Sequence, residues 1–202
     1  MSYVADGKKQ STAGFNPSQR TIDALARVAT LVTDVGQTWG TGAIGTGAAP
    51  KTYRQTDPIS GLIITEVHID LTGLKAKGGD AGDAIGVGTT PAYIYKNVVA
   101  DNGIIFKQEM ICTEIPAAGS GTITTDINMA WNSAATIDYD EAAGALREIN
   151  SGGVVAGKVI EDNIVALTAN HYAYLTEGDT AASDGVYNAG QLILKFYGYK
   201  VR

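Results

Sequence analysis

From residue 61 onward the chain is a succession of short runs of strand-forming residues, separated by Gly, Asn and Asp turns. The run "GLIITEVHIDLTGL" alternates between apolar and polar sides, and its apolar side carries Ile63, Thr65, Val67, Ile69 and Leu71. About eight such runs within roughly 140 residues is the number and spacing of a sandwich or jelly roll. The sequence therefore predicts an all-β domain over residues 61–202, an antiparallel β-sandwich of jelly-roll type.

The first sixty residues have a different pattern, which is typical of an extended N-terminal arm. Asn16 as N-cap, Pro17 at the first helical position and Gln19 as capping-box partner predict a short helix over residues 16–27. Beyond it, β-branched residues equally favour a strand. Residues 36–58 are rich in Gly and contain two prolines, which is typical of a linker. We therefore expect an arm and linker over residues 1–60, followed by the sandwich.

The closing stretch "LILKFYGY" is apolar on both of its alternating faces. Leu192, Leu194 and Phe196 share one face, and the other carries Ile193, Tyr197 and Tyr199. A strand of an antiparallel sheet commonly keeps one face in water. This strand is therefore expected to be covered on both sides, either as a central strand of the sandwich or by another copy of the chain. Five of the ten tyrosines follow residue 171, and tyrosine is favoured at protein–protein contacts.

The net charge of −6 is unevenly distributed along the chain. Residues 1–60 hold six Lys and Arg against four Asp, whereas residues 61–202 hold nine basic against seventeen acidic residues. An acidic body argues against nucleic-acid binding, which needs a concentrated basic face. The positive bias of the first sixty residues suits an arm that lies on an acidic neighbour. We see no signal peptide and no apolar run of membrane-spanning length, so we expect a soluble protein made in the cytoplasm, with no membrane partner.

Two stretches invite comparison with binding motifs, and a structural explanation is favoured for each. In "GTGAAPKT", residues 45–52, Pro50 stands where a phosphate-binding loop has its second glycine, and proline has no N–H to donate. Glu66, His68 and Asp70 share one side of a strand, where two of them would suit a metal ion. The favoured interpretation of these three residues is the polar half of an amphipathic strand, a stripe that faces either water or another subunit.

Carboxylates in loops would suit calcium, although turn-forming Asp is their ordinary role. They form two groups, Asp138, Asp140 and Glu141, and Glu177, Asp179 and Asp184. Cys112 is the single cysteine, so a disulfide framework within the chain is excluded. It lies in a strand-like run. The two histidines are not accompanied by a serine nucleophile signature. We therefore predict a non-enzymatic protein with no catalytic residue, no cofactor and no metal site.

Residues 174–199, "YLTEGDTAASDGVYNAGQLILKFYGY", combine an aromatic-rich strand, a polar turn, the motif Y-x-A-G and an apolar strand that ends in aromatic and glycine residues. With the preceding "IDLTGL" and "GDAIGVGTTPAYI", this ending resembles the β-sandwich virion proteins of tailed bacteriophages, those of marine and cyanobacterial phages in particular. The residues that match the pattern are Tyr187, Ala189, Gly190, Leu192, Leu194, Phe196 and Gly198.

The resemblance implies a capsid decoration, or cement, protein on the surface of the virion. Such a protein forms homo-oligomers, trimers being favoured, and binds the major capsid protein. One alternative is a tail-fibre or head-fibre knob that binds a host receptor or glycan, with Trp131 or the C-terminal tyrosines as stacking platforms. The other is a calcium-dependent hydrolase built on a sandwich, which would need the carboxylate groups to converge.

We expect the contacts with the capsid or with other copies to come from two sets of residues, for each of which core packing is the alternative. The set in the arm is Arg20, Arg27, Trp39, Tyr53 and Arg54. The set in the body is Tyr172, Tyr174, Phe196, Tyr197 and Tyr199.

Overall fold

The computed structural model describes residues 33–36, 38–57, 60–77, 82–143, 148–149, 152–167, 170–178 and 184–200. Its strands are β1 (Thr33–Asp34), β2 (Lys51–Thr56), β3 (Leu62–Asp70), β4 (Lys75–Ala76), β5 (Tyr95–Asn97), β6 (Ile104–Gly121), β7 (Ile127–Asn132), β8 (Glu148–Ile149), β9 (Val159–Leu167), β10 (His171–Glu177) and β11 (Gly185–Tyr199). Two short helical turns accompany them, the 3₁₀ turn η1 (Thr41–Ala43) and the helix α1 (Val99–Asn102). The helix predicted over residues 16–27 lies outside the described residues, as do Arg20 and Arg27.

Within the described residues the strands form two antiparallel sheets. The larger sheet has seven strands in the order β1-β2-β3-β11-β6-β9, with β4 paired to one end of β11. The smaller sheet has four strands in the order β5-β10-β7-β8. One hydrophobic core takes residues from the inward faces of both sheets, so the two sheets pack as a sandwich. The prediction of an all-β antiparallel fold is confirmed.

Alternation along the strands places their apolar sides in this core. The predicted apolar side of β3 is buried, since Ile63, Val67 and Ile69 are at most 2% exposed. The closing strand β11 lies in the middle of the larger sheet, between β3 and β6. Its Leu194 is paired with Val67 on one side and Met110 on the other, and all three are 0% exposed. Of the two alternatives left open by the sequence, the structure places β11 as a central strand of its sheet, although its outward side is only partly covered.

Three aromatic rings occupy the centre of the core. Trp131 of β7 packs against Phe196 of β11 with their ring centroids 5.0 Å apart, and Tyr95 of β5 stacks on Phe196 at 5.2 Å. The Trp131 indole N–H donates a hydrogen bond of 2.9 Å to Gln108 Oε1, which satisfies its polar atom in the interior. Trp131 is 0% exposed. It therefore has no surface to stack on a sugar, and the glycan platform suggested for it from the sequence is wrong.

The segment predicted as a Gly-rich linker supplies a strand to the larger sheet. All six residues of β2 pair with β3, and the partly buried Trp39 packs against the core. The glycines of this segment permit close packing. A Cβ on Gly40 or Gly42 would lie 2.1 Å from the carbonyl oxygen of Pro91 or Thr90, respectively. Their own N–H groups donate to the carbonyls of Tyr93 and Pro91. Glycine here serves close contact between backbones, which composition alone does not separate from flexibility.

The Y-x-A-G motif marks the place where β11 changes partners. At its beginning, Gly185 and Val186 pair with β4, and from Gln191 onward the strand pairs with β3. Between these segments Gly190 has a φ of +129°, and a Cβ there would lie 2.8 Å from Leu71 Cδ1. Its carbonyl accepts a 2.9 Å hydrogen bond from the Leu71 N–H. Glycine at this bulge therefore meets a backbone requirement of the sheet.

Candidate functional site

The outward surface of the larger sheet gathers long amphipathic side chains into one continuous area. We call it the outer face, defined by Tyr53, Glu66, His68, Phe106, Lys107, Glu109, Ile111, Val159, Glu161, Ile193, Lys195, Tyr197 and Tyr199. Strand register places one row of these side chains side by side across β2, β3, β11, β6 and β9, namely Tyr53, Glu66, Lys195, Glu109 and Glu161. Neighbours in such a row interact directly because adjacent strands are under 5 Å apart.

The charges of the outer face are paired within the chain. Lys195 Nζ lies 2.8 Å from Glu66 Oε1, and Lys107 Nζ lies 2.7 Å from Glu109 Oε1 and 3.2 Å from Glu161 Oε2. The hydroxyl of Tyr197 donates a 2.9 Å hydrogen bond to Glu109 Oε2. These contacts connect the aromatic and charged side chains of three adjacent strands and of β9 into one polar network.

This pairing is reflected in the pKa values of the groups. Burial acts to raise the pKa of Glu66, but Lys195 and His68 together hold it below the ordinary value. The pKa of Glu109 is likewise lowered, because Lys107 and Tyr197 outweigh its burial. Burial and the bond to Glu109 raise the pKa of Tyr197 to about 12. At neutral pH both carboxylates are therefore ionised and Tyr197 is a hydrogen-bond donor.

The same face exposes apolar area. Val159 is 51% exposed and Tyr199 is 48% exposed, and the Tyr199 ring stacks on Phe106 with centroids 5.0 Å apart. Ile193 and Tyr197 are half-buried. The second apolar face of the closing stretch is thus covered incompletely, by neighbouring side chains of its own sheet, and remains open to a partner.

A pocket of about 430 Å³ opens at one end of the outer face. We call it the outer-face pocket. One side is formed by residues 48–49 and by Lys51 and Tyr53 of β2, and the rest comes from β3, β6 and β11. Tyr53 meets His68 edge to face, with ring centroids 5.3 Å apart and planes at 80°. This pocket brings aromatic and polar groups together, as the pockets that bind small ligands commonly do.

The predicted contact residues are divided between the two sides of the sandwich. Tyr53, Tyr197 and Tyr199 lie on the outer face. Tyr172 lies on the outward side of the smaller sheet, where its ring meets that of Tyr93 at 4.9 Å and the Nζ of Lys96 at 5.9 Å. The C-terminal tyrosines therefore do not form one patch, because β10 and β11 belong to different sheets.

Other predicted contact residues are internal. Tyr174 and Phe196 are 0% and 1% exposed, so each is a core residue of this fold. The Tyr174 hydroxyl donates a 2.8 Å hydrogen bond to the Ala134 carbonyl. Trp39 contributes to the main core, as described above.

Arg54 belongs to a polar cluster at the edge of the core. Its Nε donates to Asn102 Oδ1 at 3.0 Å, an oxygen that also accepts a 3.2 Å bond from the hydroxyl of Thr65. Asn102 in turn donates a 2.8 Å bond to Asn97 Oδ1. The cluster joins β2, β3, α1 and β5. Arg54 therefore supports the fold through these bonds.

The metal candidates of β3 have other contacts. The carboxylate of Asp70 accepts hydrogen bonds from the N–H groups of Thr72 at 2.9 Å and Ala48 at 3.0 Å, and His68 Nε2 lies 3.4 Å from Glu66 Oε2. Across the part of the chain that the structure describes, no three His, Cys, Asp or Glu side chains gather as a metal site requires. The described helices also include none with the length and apolar character to span a membrane.

Sequence reasoning missed the charged members of the outer face. The sequence singles out Glu66 as a metal candidate and as part of a solvated or subunit-facing stripe, but it does not single out Lys107, Glu109 and Lys195. The available signal was a Lys or Glu at an outward position of each of the three adjacent strands.

No protein-family model, no curated protein and no solved structure matches this chain.

Proposed function

We propose that this chain is a non-enzymatic structural protein of a bacteriophage virion, a capsid decoration protein that forms homotrimers and binds the major capsid protein. The sequence support is the resemblance of residues 174–199 to phage β-sandwich virion proteins. The structural observation that supports the proposal is the outer face, a broad sheet surface of partly exposed aromatic and aliphatic side chains with paired charges between them. In this proposal the protein acts at the capsid surface after synthesis in the host cytoplasm.

The composition of the outer face suits burial against another protein. Tyrosine and other aromatic residues are enriched at protein contacts, and Tyr53, Tyr197, Tyr199 and Phe106 supply them here. An unpaired charge is costly to bury, but Glu66 and Glu109 each keep a lysine partner within 2.8 Å in their own chain. A partner that covers this face therefore displaces water from aromatic and aliphatic groups without leaving those carboxylates unpaired.

The proposal assigns different contacts to the arm and to the outer face. Contacts between copies form through the end of the outer face that carries Phe106, Tyr197 and Tyr199, which leaves the outer-face pocket open. The capsid is bound by the N-terminal residues that precede β1, with Arg20 and Arg27 as cationic contacts on an acidic shell. Deletion at residue 60 would remove β2 from the larger sheet, so the informative truncation ends at residue 32. We expect the truncated protein to retain its oligomeric state and to lose capsid attachment.

The test is co-sedimentation of the purified chain with capsids of the phage that encodes it, assembled without this protein. The full chain is expected to pellet with the capsids, whereas the chain that lacks residues 1–32 stays in the supernatant. Attachment by the truncated chain would overturn the role of the arm. Absence of the protein from purified virions, or its encoding outside a phage genome, would overturn the proposal itself.

A further inference from the structure

The outer-face pocket has the size and the construction of a small-molecule site. Its volume of about 430 Å³ falls within the usual range for ligand pockets, roughly 300 to 1,000 Å³. The walls come from four adjacent strands of the larger sheet, β2, β3, β11 and β6, so most of the lining residues belong to regular strands. Sites on strands are held more accurately than sites on mobile loops.

One side of the pocket is aromatic. The rings of Tyr53 and His68 meet at 80°, so the two rings present both a face and an edge near the cavity. Ile193 adds an aliphatic surface between β3 and β6. Such surfaces suit the C–H faces of a ligand that is apolar on its faces and polar around its rim.

The remaining lining is polar and forms hydrogen bonds in both directions. Lys51 donates, and the side-chain amide of Gln191 both donates and accepts. The hydroxyl of Thr113 donates a 3.1 Å hydrogen bond to the backbone carbonyl of Gln191, and its oxygen can still accept one. Asp70 contributes a carboxylate whose two oxygens each accept one backbone N–H. Each carboxylate oxygen has a second lone pair, and the two backbone bonds fix the direction in which the carboxylate faces.

The charges of this lining argue against an anionic ligand. Lys51 supplies one positive charge and Asp70 one negative charge, so the lining does not concentrate the cationic groups that a phosphate or sulfate would select. A purely apolar ligand is disfavoured too, because it would bury the Asp70 carboxylate and the Gln191 amide without new partners. Hydroxyl groups around an aliphatic ring satisfy both conditions.

We propose that the outer-face pocket binds one or two residues of a neutral saccharide. The sugar ring lies against Tyr53 and His68, its hydroxyls donate to Asp70, and Lys51 and Gln191 donate to its oxygens. This proposal rests on the pocket and is independent of capsid attachment, since a decoration protein and a receptor-binding knob can each carry a sugar site.

Saturation-transfer and amide chemical-shift NMR on the full chain tests it, with glucose, galactose, N-acetylglucosamine, maltose and lactose as probes. We expect at least one sugar to bind with a Kd of roughly 1 to 10 mM, the range of a small, shallow site. The shifted amides are expected in residues 48–53, 68–70 and 191–193. Failure of all five sugars to bind at about 50 mM would overturn the proposal.

Variants of the lining residues test whether the sugar binds in the outer-face pocket. Tyr53→Ala is expected to weaken binding about tenfold and Gln191→Ala about threefold, while Tyr53→Phe, which keeps the ring, retains affinity. Tyr172→Ala removes a tyrosine from the opposite surface of the sandwich, away from both the pocket and the contacts between copies, and is the matched control. Unchanged affinity in both Tyr53→Ala and Gln191→Ala would place the sugar elsewhere. Tighter binding of glucose 6-phosphate or inorganic phosphate than of glucose would show an anion site instead.

Discussion

The two outward surfaces of the sandwich differ in how they are covered. On the smaller sheet, residues 133–143 return across β7 and β10, and Tyr174 and Ala130 join Ile137 and Ala143 in a second small core. Backbone hydrogen bonds hold this covering segment in place, such as the 2.9 Å bond from the Ala92 N–H to the Ile137 carbonyl. On the larger sheet the corresponding side chains remain partly exposed among the described residues, and paired charges lie between them.

The difference shows that alternation along a strand does not by itself decide the fate of the outward side. Small residues such as Ala130 let a covering segment approach the smaller sheet closely. Long charged residues, such as Glu66 and Lys195 on the larger sheet, keep a covering segment away unless their charges are paired first. The outer face meets this condition with pairs inside its own chain, which supports the proposed contact between copies.

Replacing one tyrosine on each surface tests this contrast, and here we expect the largest effect. Tyr174→Ala empties a fully buried site and should lower the free energy of unfolding by about 3 to 5 kcal/mol. Tyr197→Ala removes a half-buried ring and one hydrogen bond and should cost about 1 to 2 kcal/mol. Urea denaturation of both variants measures the difference, and equal losses would contradict it.

Tyr53 lies on the outer face only while β2 stays paired with β3. Replacing Arg54 tests whether the polar cluster around Asn102 holds β2 in this position. Arg54→Met keeps most of the side-chain length but removes the bond to Asn102 Oδ1. Because this oxygen is part-buried and the lost donor is charged, we expect a loss of about 1.5 to 3 kcal/mol in the free energy of unfolding. Lys51→Met, an exposed residue of the same strand, is the control and should cost under about 0.5 kcal/mol. A neutral Arg54→Met would show that the polar cluster does not hold β2.

The ion pairs of the outer face should contribute little to the stability of the monomer. Lys195→Met removes the partner of Glu66 on a half-exposed surface, so a loss below about 1 kcal/mol is expected in thermal and urea unfolding. A loss comparable with that of Tyr174→Ala would mean that the outer face is as closely packed as the covered one. The open surface would then need a different description.

We expect a still smaller change in the free energy of unfolding when acid protonates the carboxylates of the outer face. The folded pKa values of Glu66 and Glu109 lie below the ordinary 4.5, so their contribution is complete above that pH and is lost as the pH falls through the lowered values. Unfolding measured between about pH 6 and pH 3 should therefore show a shallower loss in the double variant Glu66→Gln, Glu109→Gln than in the original chain. Identical pH profiles would show that these pairs do not couple to folding.

The strands that alternate cleanly could be predicted from sequence. Val67 and Leu194 lie in the core as their periodicity requires, because period-two burial is a local property. The strand β2 could not be recognised, because its inward positions carry the polar residues Thr52 and Arg54 and a Gly-rich segment precedes it. The outer-face pocket brings together residues that are far apart in the chain, such as Lys51 and Gln191, and the segment over Tyr174 includes the distant Ile137. Local sequence pattern does not reveal either arrangement.

The proposed function depends on the association of copies of the chain through the outer face. Sedimentation velocity of the full chain at micromolar concentration tests this most directly, with Tyr199→Asp on the outer face and Tyr172→Asp on the opposite surface. We predict a trimer for the original chain and for Tyr172→Asp, and a folded monomer for Tyr199→Asp. A monomeric original chain, or a trimer that survives Tyr199→Asp and dissociates with Tyr172→Asp, would contradict the account.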